Sequence, residues 1–194
     1  MSSERLTAAT GSLSLQVVRW VDGKSGPMNK TAVALPAQGG FSTLVESGAM
    51  LKAAGCAARA DCFISARLTE TTGGTELLAP ESYQWLTLWR DAALKPAMLT
   101  VVSASPVGDG HTAGALHVTV SSDVVAPNVM VHCSHASDFG KFDNNGVMLS
   151  PGQPVTLLYT PQAFAPASQH TACTKASDFY AVAINGLSGE ESGS

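Results

Sequence analysis

A-L-H-V-T-V-S, residues 115–121, is the stretch on which the fold turns. Leu116, Val118 and Val120 alternate with His117, Thr119 and Ser121. Side chains of a strand point alternately to opposite faces, so this spacing predicts a strand with one apolar face. The same period of two recurs outward in both directions. Pro154–Tyr159 and Asn128–Cys133 carry it on one side, and Ser12–Trp20, Asn29–Leu35 and Asp61–Glu70 on the other. Further strands are expected at Phe41–Leu51, within Glu76–Trp89, and at Met98–Ser103, Val147–Ser150 and Phe179–Leu187. Turn residues separate them, among them Asp22-Gly23, Pro36–Gly40, the hairpin signal Thr72-Gly73-Gly74, and Ser150-Pro151-Gly152. Ala53–Ala60 reads as a loop or a short helical turn, and Gln162–Lys175 as a long loop.

Short strands every 8 to 12 residues or so, without a sustained helical period, indicate an all-β chain of antiparallel sandwiches. Each half supplies roughly seven strands, the number of an Ig-like fold. The expected organisation is two tandem antiparallel Ig-like β-sandwiches at residues 12–95 and 96–187. Residues 1–11 and 188–194 are expected as flexible ends, and Leu94-Lys95-Pro96 as the linker. Neither half clearly places a Trp between two core cysteines, so the architecture is Ig-like without being an antibody domain.

The chain has 194 residues, 45% of them hydrophobic and 13% charged. About 25% charged is usual. Lys+Arg 11 against Asp+Glu 15 gives a net charge of −4, which lacks the basic face a nucleic-acid binder needs. No run approaches the roughly 18 apolar residues of a membrane span. The N-terminus has no basic segment followed by an apolar run, so neither a signal peptide nor a membrane partner is expected, and the compartment stays open. Cys56, Cys62, Cys133 and Cys173 allow three pairings. Four reduced, partly buried thiols is the preferred reading. Bridges 56–62 and 133–173 are the alternative in an oxidising compartment.

Candidate chemistry is sparse. Glycoside hydrolysis needs two carboxylates about 5 to 9 Å apart. Glu76 and Glu81 are near in sequence but flank a turn and a strand, and are expected as solvated carboxylates. His132 and His135 would point to opposite faces of a strand, so no metal ligation is expected. No CxxC pair suggests zinc. Neither G-x-S-x-G nor a phosphate loop occurs. No cofactor and no catalytic residue is assigned. Trp85 and Trp89, an even number of steps apart on one strand, would share a face. They are the candidate interface or sugar contact, weighed against a place in the core.

The most distinctive segment is S-D-F-G-K-F-D-N-N-G-V-M-L-S-P-G, residues 137–152. It resembles the last Ig-like domain of the β-mannosidases of glycoside hydrolase family 2. Gly140, Lys141, Phe142, Asn145, Gly146, Leu149, Pro151 and Gly152 match that pattern. Asp143, Asn144 and Val147 depart from it. Related endo-β-mannosidase or exo-glucosaminidase tails fit as well. The resemblance implies that Gly140, Phe142, Asn145, Gly146, Leu149, Pro151 and Gly152 serve the architecture. It also implies a partner, the catalytic barrel of a β-mannosidase, in the same parent chain or in trans. That barrel carries the family's catalytic glutamates, and 194 residues leave no room for it. The parent would remove terminal non-reducing β-D-mannose; this chain alone is not expected to be catalytic. Animal members of the family are lysosomal. A stand-alone module binding mannosides, other carbohydrate or protein is the alternative.

Overall fold

The structure, a computed structural model, describes residues 9–35, 47–70, 81–108, 114–135, 140–162 and 172–186. The chain is all-β, the strand pairs of its described sheets are antiparallel, and it divides into two compact units. The first comprises Met1–Trp20 and Lys24–Ala93, the second Val21–Gly23 and Leu94–Ser194. The hairpin signal at 72–74 and both chain ends lie outside the described residues.

The first unit is built on β1 (Ala9–Arg19), β2 (Asn29–Leu35), β3 (Cys62–Glu70) and β4 (Ser82–Trp85). They form one sheet in the order β2-β1-β3-β4. Val17 stands opposite Ile64 and Val18 opposite Phe63. Leu13 and Val17 are buried on one face, as the alternation predicts. Val18, Trp20, Phe63 and Ser65 are buried on the other. Both faces are therefore covered at this end of the sheet.

The expectation of a strand at Phe41–Leu51 is corrected. Residues 41–46 lie outside the described set, and Ser47–Ala53 is a helix, α1. Ala49, Met50, Leu51, Lys52 and Ala53 all favour helix, and no β-branched residue interrupts them. Gly55, at φ +76°, ends it. The Gly55 amide donates to the Lys52 carbonyl and the Cys56 amide to that of Leu51, both at 3.0 Å. This is a Schellman cap, and it needs the left-handed conformation glycine reaches without a Cβ clash.

The second unit has seven described strands in two sheets. One contains β5 (Leu99–Pro106), β6 (Leu116–Ser122), β10 (Val155–Thr160) and β8 (Lys141–Phe142), in that order. The other contains β11 (Phe179–Val182), β7 (Ala126–Cys133) and β9 (Val147–Leu149). Leu116, Val118 and Val120 of β6 and Leu157 and Tyr159 of β10 share one core with Val129 and Val131 of β7, Leu149 and Phe179. Each such side chain stabilises the sandwich by roughly 1.5–3 kcal/mol on burial.

The preference for reduced thiols is also corrected: Cys56–Cys62 and Cys133–Cys173 are disulfides, and no cysteine is free. Folding brings each pair together, with Cα atoms 6.3 and 6.0 Å apart. In the first pair the capped helix presents Cys56 toward the start of β3. In the second, Cys133 ends β7 opposite Phe179 of β11. Both units use one local device beside the bridge. A 3-10 turn ending in Asp61 or Asp178 leads directly into β3 or β11. Asp61 accepts the Ala58 amide at 2.7 Å, and Asp178 accepts the amides of Thr174 and Lys175 at 2.9 and 3.1 Å.

Candidate functional site: an aromatic stack, a polar triad and a groove

At the Trp85 end of the first sheet four rings stand in series. Phe63 stacks on Trp20 at 4.1 Å, Trp20 meets Trp85 at 4.5 Å, and Trp85 stacks on Trp89 at 4.8 Å with 17° between planes. Trp20 is 1% exposed and Trp89 45%. The shared strand face expected for Trp85 and Trp89 is not how they meet. β4 ends at Trp85, residues 86–88 turn, and Trp89 opens a 3-10 turn that folds its ring back onto Trp85. The outer ring, that of Trp89, is partly exposed.

Further along the same face lies a group that sequence reading missed. Glu81 accepts a hydrogen bond from Ser65 Oγ and an ion pair from Arg67 Nη2 at 2.9 Å. It is not the solvated carboxylate expected. Ser65 and Arg67 are two apart on β3, so their side chains share a face, and β4 brings Glu81 beside them. The hydrogen bond and the charge of Glu81 raise the Arg67 pKa. Burial, then the Glu81 charge, push the Tyr83 phenol up to about 12. Glu76 lies outside the described residues.

The residues quoted from 137–152 sit in the second unit. A Cβ on Gly140 would overlap the Tyr159 phenol. Phe142 packs its ring 5.0 Å from Tyr159 and 6.0 Å from Phe179. Leu149 is 0% exposed. The Asn145 side chain acts as a strand partner: Oδ1 accepts the Val131 amide at 2.8 Å, and Nδ2 donates to the Val131 carbonyl at 3.1 Å. Gly146, at φ +89°, donates its amide to the Val129 carbonyl at 3.0 Å. Pro151 and Gly152 form the turn before β10.

Near them a depression of about 410 Å³ is lined by His132, Gly140, Lys141, Phe142, Asn145 and Tyr180, among others. His132 stacks on Tyr180, its register partner, at 5.2 Å. His135 lies beyond β7, with Nε2 3.7 Å from Asp178 Oδ1. The two histidines do not converge. Hydrogen bonds from the Thr174 amide lower the Asp178 pKa against the opposing effect of burial, and the Lys175 amide and the charges of Lys175 and His135 add to the lowering. Among the described residues no three His, Cys, Asp or Glu side chains could hold a metal ion. No described helix is long and apolar enough to cross a membrane.

Residues 95–178 match the family model Ig_mannosidase, an Ig-fold domain. No curated protein matches the sequence. Among solved structures, a β-D-mannosidase from Dictyoglomus thermophilum is 13% identical, with a TM-score of 0.56. The match covers 94% of this chain and 19% of the mannosidase. An exo-chitosanase from Amycolatopsis orientalis is 14% identical at a TM-score of 0.47, over 92% of this chain and 24% of that one. The chain thus spans about a fifth to a quarter of the length of these proteins. At such identity the mannosidase likeness speaks for the fold alone. Residues 95–178 are therefore similar to the Ig-fold domain that this family model describes.

Proposed function

We propose that this chain is the non-catalytic C-terminal Ig-like region of a β-mannosidase-like glycoside hydrolase. Its sandwiches, at 12–95 and 96–187, brace the catalytic barrel. The full-length enzyme hydrolyses terminal non-reducing β-D-mannose residues of oligosaccharides and glycoproteins. The observation that carries this reading is the family match at residues 95–178. In support, Gly140, Phe142, Asn145, Gly146, Leu149, Pro151 and Gly152 are occupied with packing, turns and backbone pairing. In this role they hold the sandwich together.

The test is the native polypeptide. An antibody against residues 140–153 would recover it from source cells for mass mapping and assay on 4-nitrophenyl glycosides. Barrel peptides on the same chain or on a stable partner, with β-D-mannoside cleaved in preference to β-D-glucosaminide, are expected. Recovery of a 19.9 kDa chain alone, without barrel partner or β-mannosidase activity, overturns the reading.

A second reading rests on the exposed ring of Trp89 stacked on Trp85: a stand-alone module that binds carbohydrate or protein. Here mannosides quench Trp fluorescence, and Trp89→Ala abolishes the quenching. Quenching that survives Trp89→Ala counts against it.

A further inference from the structure

The depression in the second unit is separate from the aromatic stack and carries its own chemistry. Its floor is the cross-strand pair of His132 on β7 and Tyr180 on β11, with Tyr180 49% exposed. Lys141, on β8, lines it as the unambiguous cation. Among the described residues Lys141 has no ion-pair partner. The described carboxylates adjacent in sequence to the lining are already committed. Asp143 Oδ1 accepts the amides of Asn144 and Leu158 at 2.8 and 2.9 Å. Asp178 accepts those of Thr174 and Lys175. The described lining residues include no Asp or Glu. Asn145 gives one amide hydrogen to Val131, and its Nδ2 carries a second.

These features select among ligands. One lysine matches one negative charge, not the several of a nucleoside diphosphate or triphosphate. The negative face of the Tyr180 ring suits the weakly positive C–H face of a pyranose. The second Nδ2 hydrogen of Asn145 suits a hydroxyl. A volume of about 410 Å³ lies within the range of small-ligand sites.

We propose that the groove between His132, Tyr180, Lys141 and Asn145 is a binding site for a pyranose carrying a single carboxylate, a hexuronic acid. The ring lies on Tyr180 and the carboxylate meets the Lys141 ammonium. Binding makes and breaks no covalent bond. The site stands independently of the mannosidase reading.

The test is a titration of the full chain with methyl β-D-glucuronide, followed by amide and His132 ring resonances in NMR spectra. Methyl β-D-glucoside and sodium acetate are the controls. Glucuronide is expected to shift the Lys141, Asn145 and Tyr180 amides with millimolar affinity. Both controls should bind roughly tenfold more weakly, the effect of losing one charge-assisted contact or the ring contact. Lys141→Met should remove the preference for glucuronide over glucoside, while Tyr180→Phe should retain it. Lys141 and Tyr180 are exposed, and undisturbed core resonances would show that the variants are folded. Equal binding of glucuronide and glucoside overturns the proposal, as does equal binding of glucuronide and acetate. Absence of shifts at these residues, or a glucuronide preference that survives Lys141→Met, also overturns it.

Discussion

Replacing Cys133 and Cys173 together by alanine should cost the second unit far more than the equivalent change costs the first. The Cys133–Cys173 bridge spans a sequence separation of 40, against 6 for Cys56–Cys62. A cross-link lowers the entropy of the unfolded chain by an amount that grows with the logarithm of the loop. About 41 residues in the loop correspond to about 4 kcal/mol, and about 7 residues to about 2.4 kcal/mol. Domains of this size hold roughly 5–15 kcal/mol in total, so the longer bridge supplies a large fraction. For a unit of about 100 residues, the loss lowers the melting temperature by roughly 15–30 °C. The assay must separate the units. Trp20, Trp85 and Trp89 all lie in the first, so tryptophan fluorescence is blind to the second. Hydrogen exchange at the buried amides of Val118, Val120 and Val131 reports the second directly. Cys133→Ala/Cys173→Ala should lower their protection by about 4 kcal/mol and leave the fluorescence transition in place. Cys56→Ala/Cys62→Ala should shift the fluorescence transition by about 2.4 kcal/mol and leave those amides alone. A loss from the long loop no larger than that from the short one refutes the loop-entropy reasoning.

Three further outcomes are expected. Asn145→Ala strips both side-chain partners from the Val131 backbone and should destabilise the second unit by about 1–3 kcal/mol. Urea denaturation checks this, with the fastest gain in exchange at the Val131 amide. Gly140→Ala drives a methyl into the Tyr159 ring and should cost about 1–3 kcal/mol, read as a lower urea midpoint with a displaced Tyr159 ring resonance. The Asp178 carboxyl lies below its ordinary value of 3.8 in the folded chain. Its contribution is therefore fully present above that value, and is lost as pH falls below it through the folded pKa. Acid unfolding of the second unit should steepen below about pH 4, and Asp178→Asn should flatten that dependence.

The strands of the second unit were legible because their two faces differ. On β6, Leu116, Val118 and Val120 enter one core while His117 is exposed, so burial writes itself into the sequence at period two. α1 was missed because seven residues give a helical period little room, and the decisive mark was the capping Gly55. Apolar content at 41–51 was read as a strand instead. Trp85 and Trp89 were expected to share a face of one strand, but β4 ends at Trp85 and their rings meet by another route. The turn at 86–88 makes the contact, and turn geometry is weakly encoded. Glu81 looked like any surface carboxylate, since its partners on β3 become neighbours only through the register of β3 with β4. The groove was invisible for the same reason: His132, Lys141 and Tyr180 come from three strands in two sheets. The cysteine pairs were visible as spacings, but spacing alone does not separate a bridge from two thiols.

The 133–173 bridge also fixes how the chain would respond to being pulled from its ends. The bridge closes a covalent ring that contains β8, β9 and β10, so strands of both sheets belong to one loop. Tension from the termini passes through the sulfur pair and bypasses everything between. Even after the sandwich ruptures, those 40 residues do not pay out. At about 3.3–3.6 Å per residue, roughly 130–145 Å of contour stays hidden. In a single-molecule stretching record, reductant should convert the rupture of this unit into a longer step by that length.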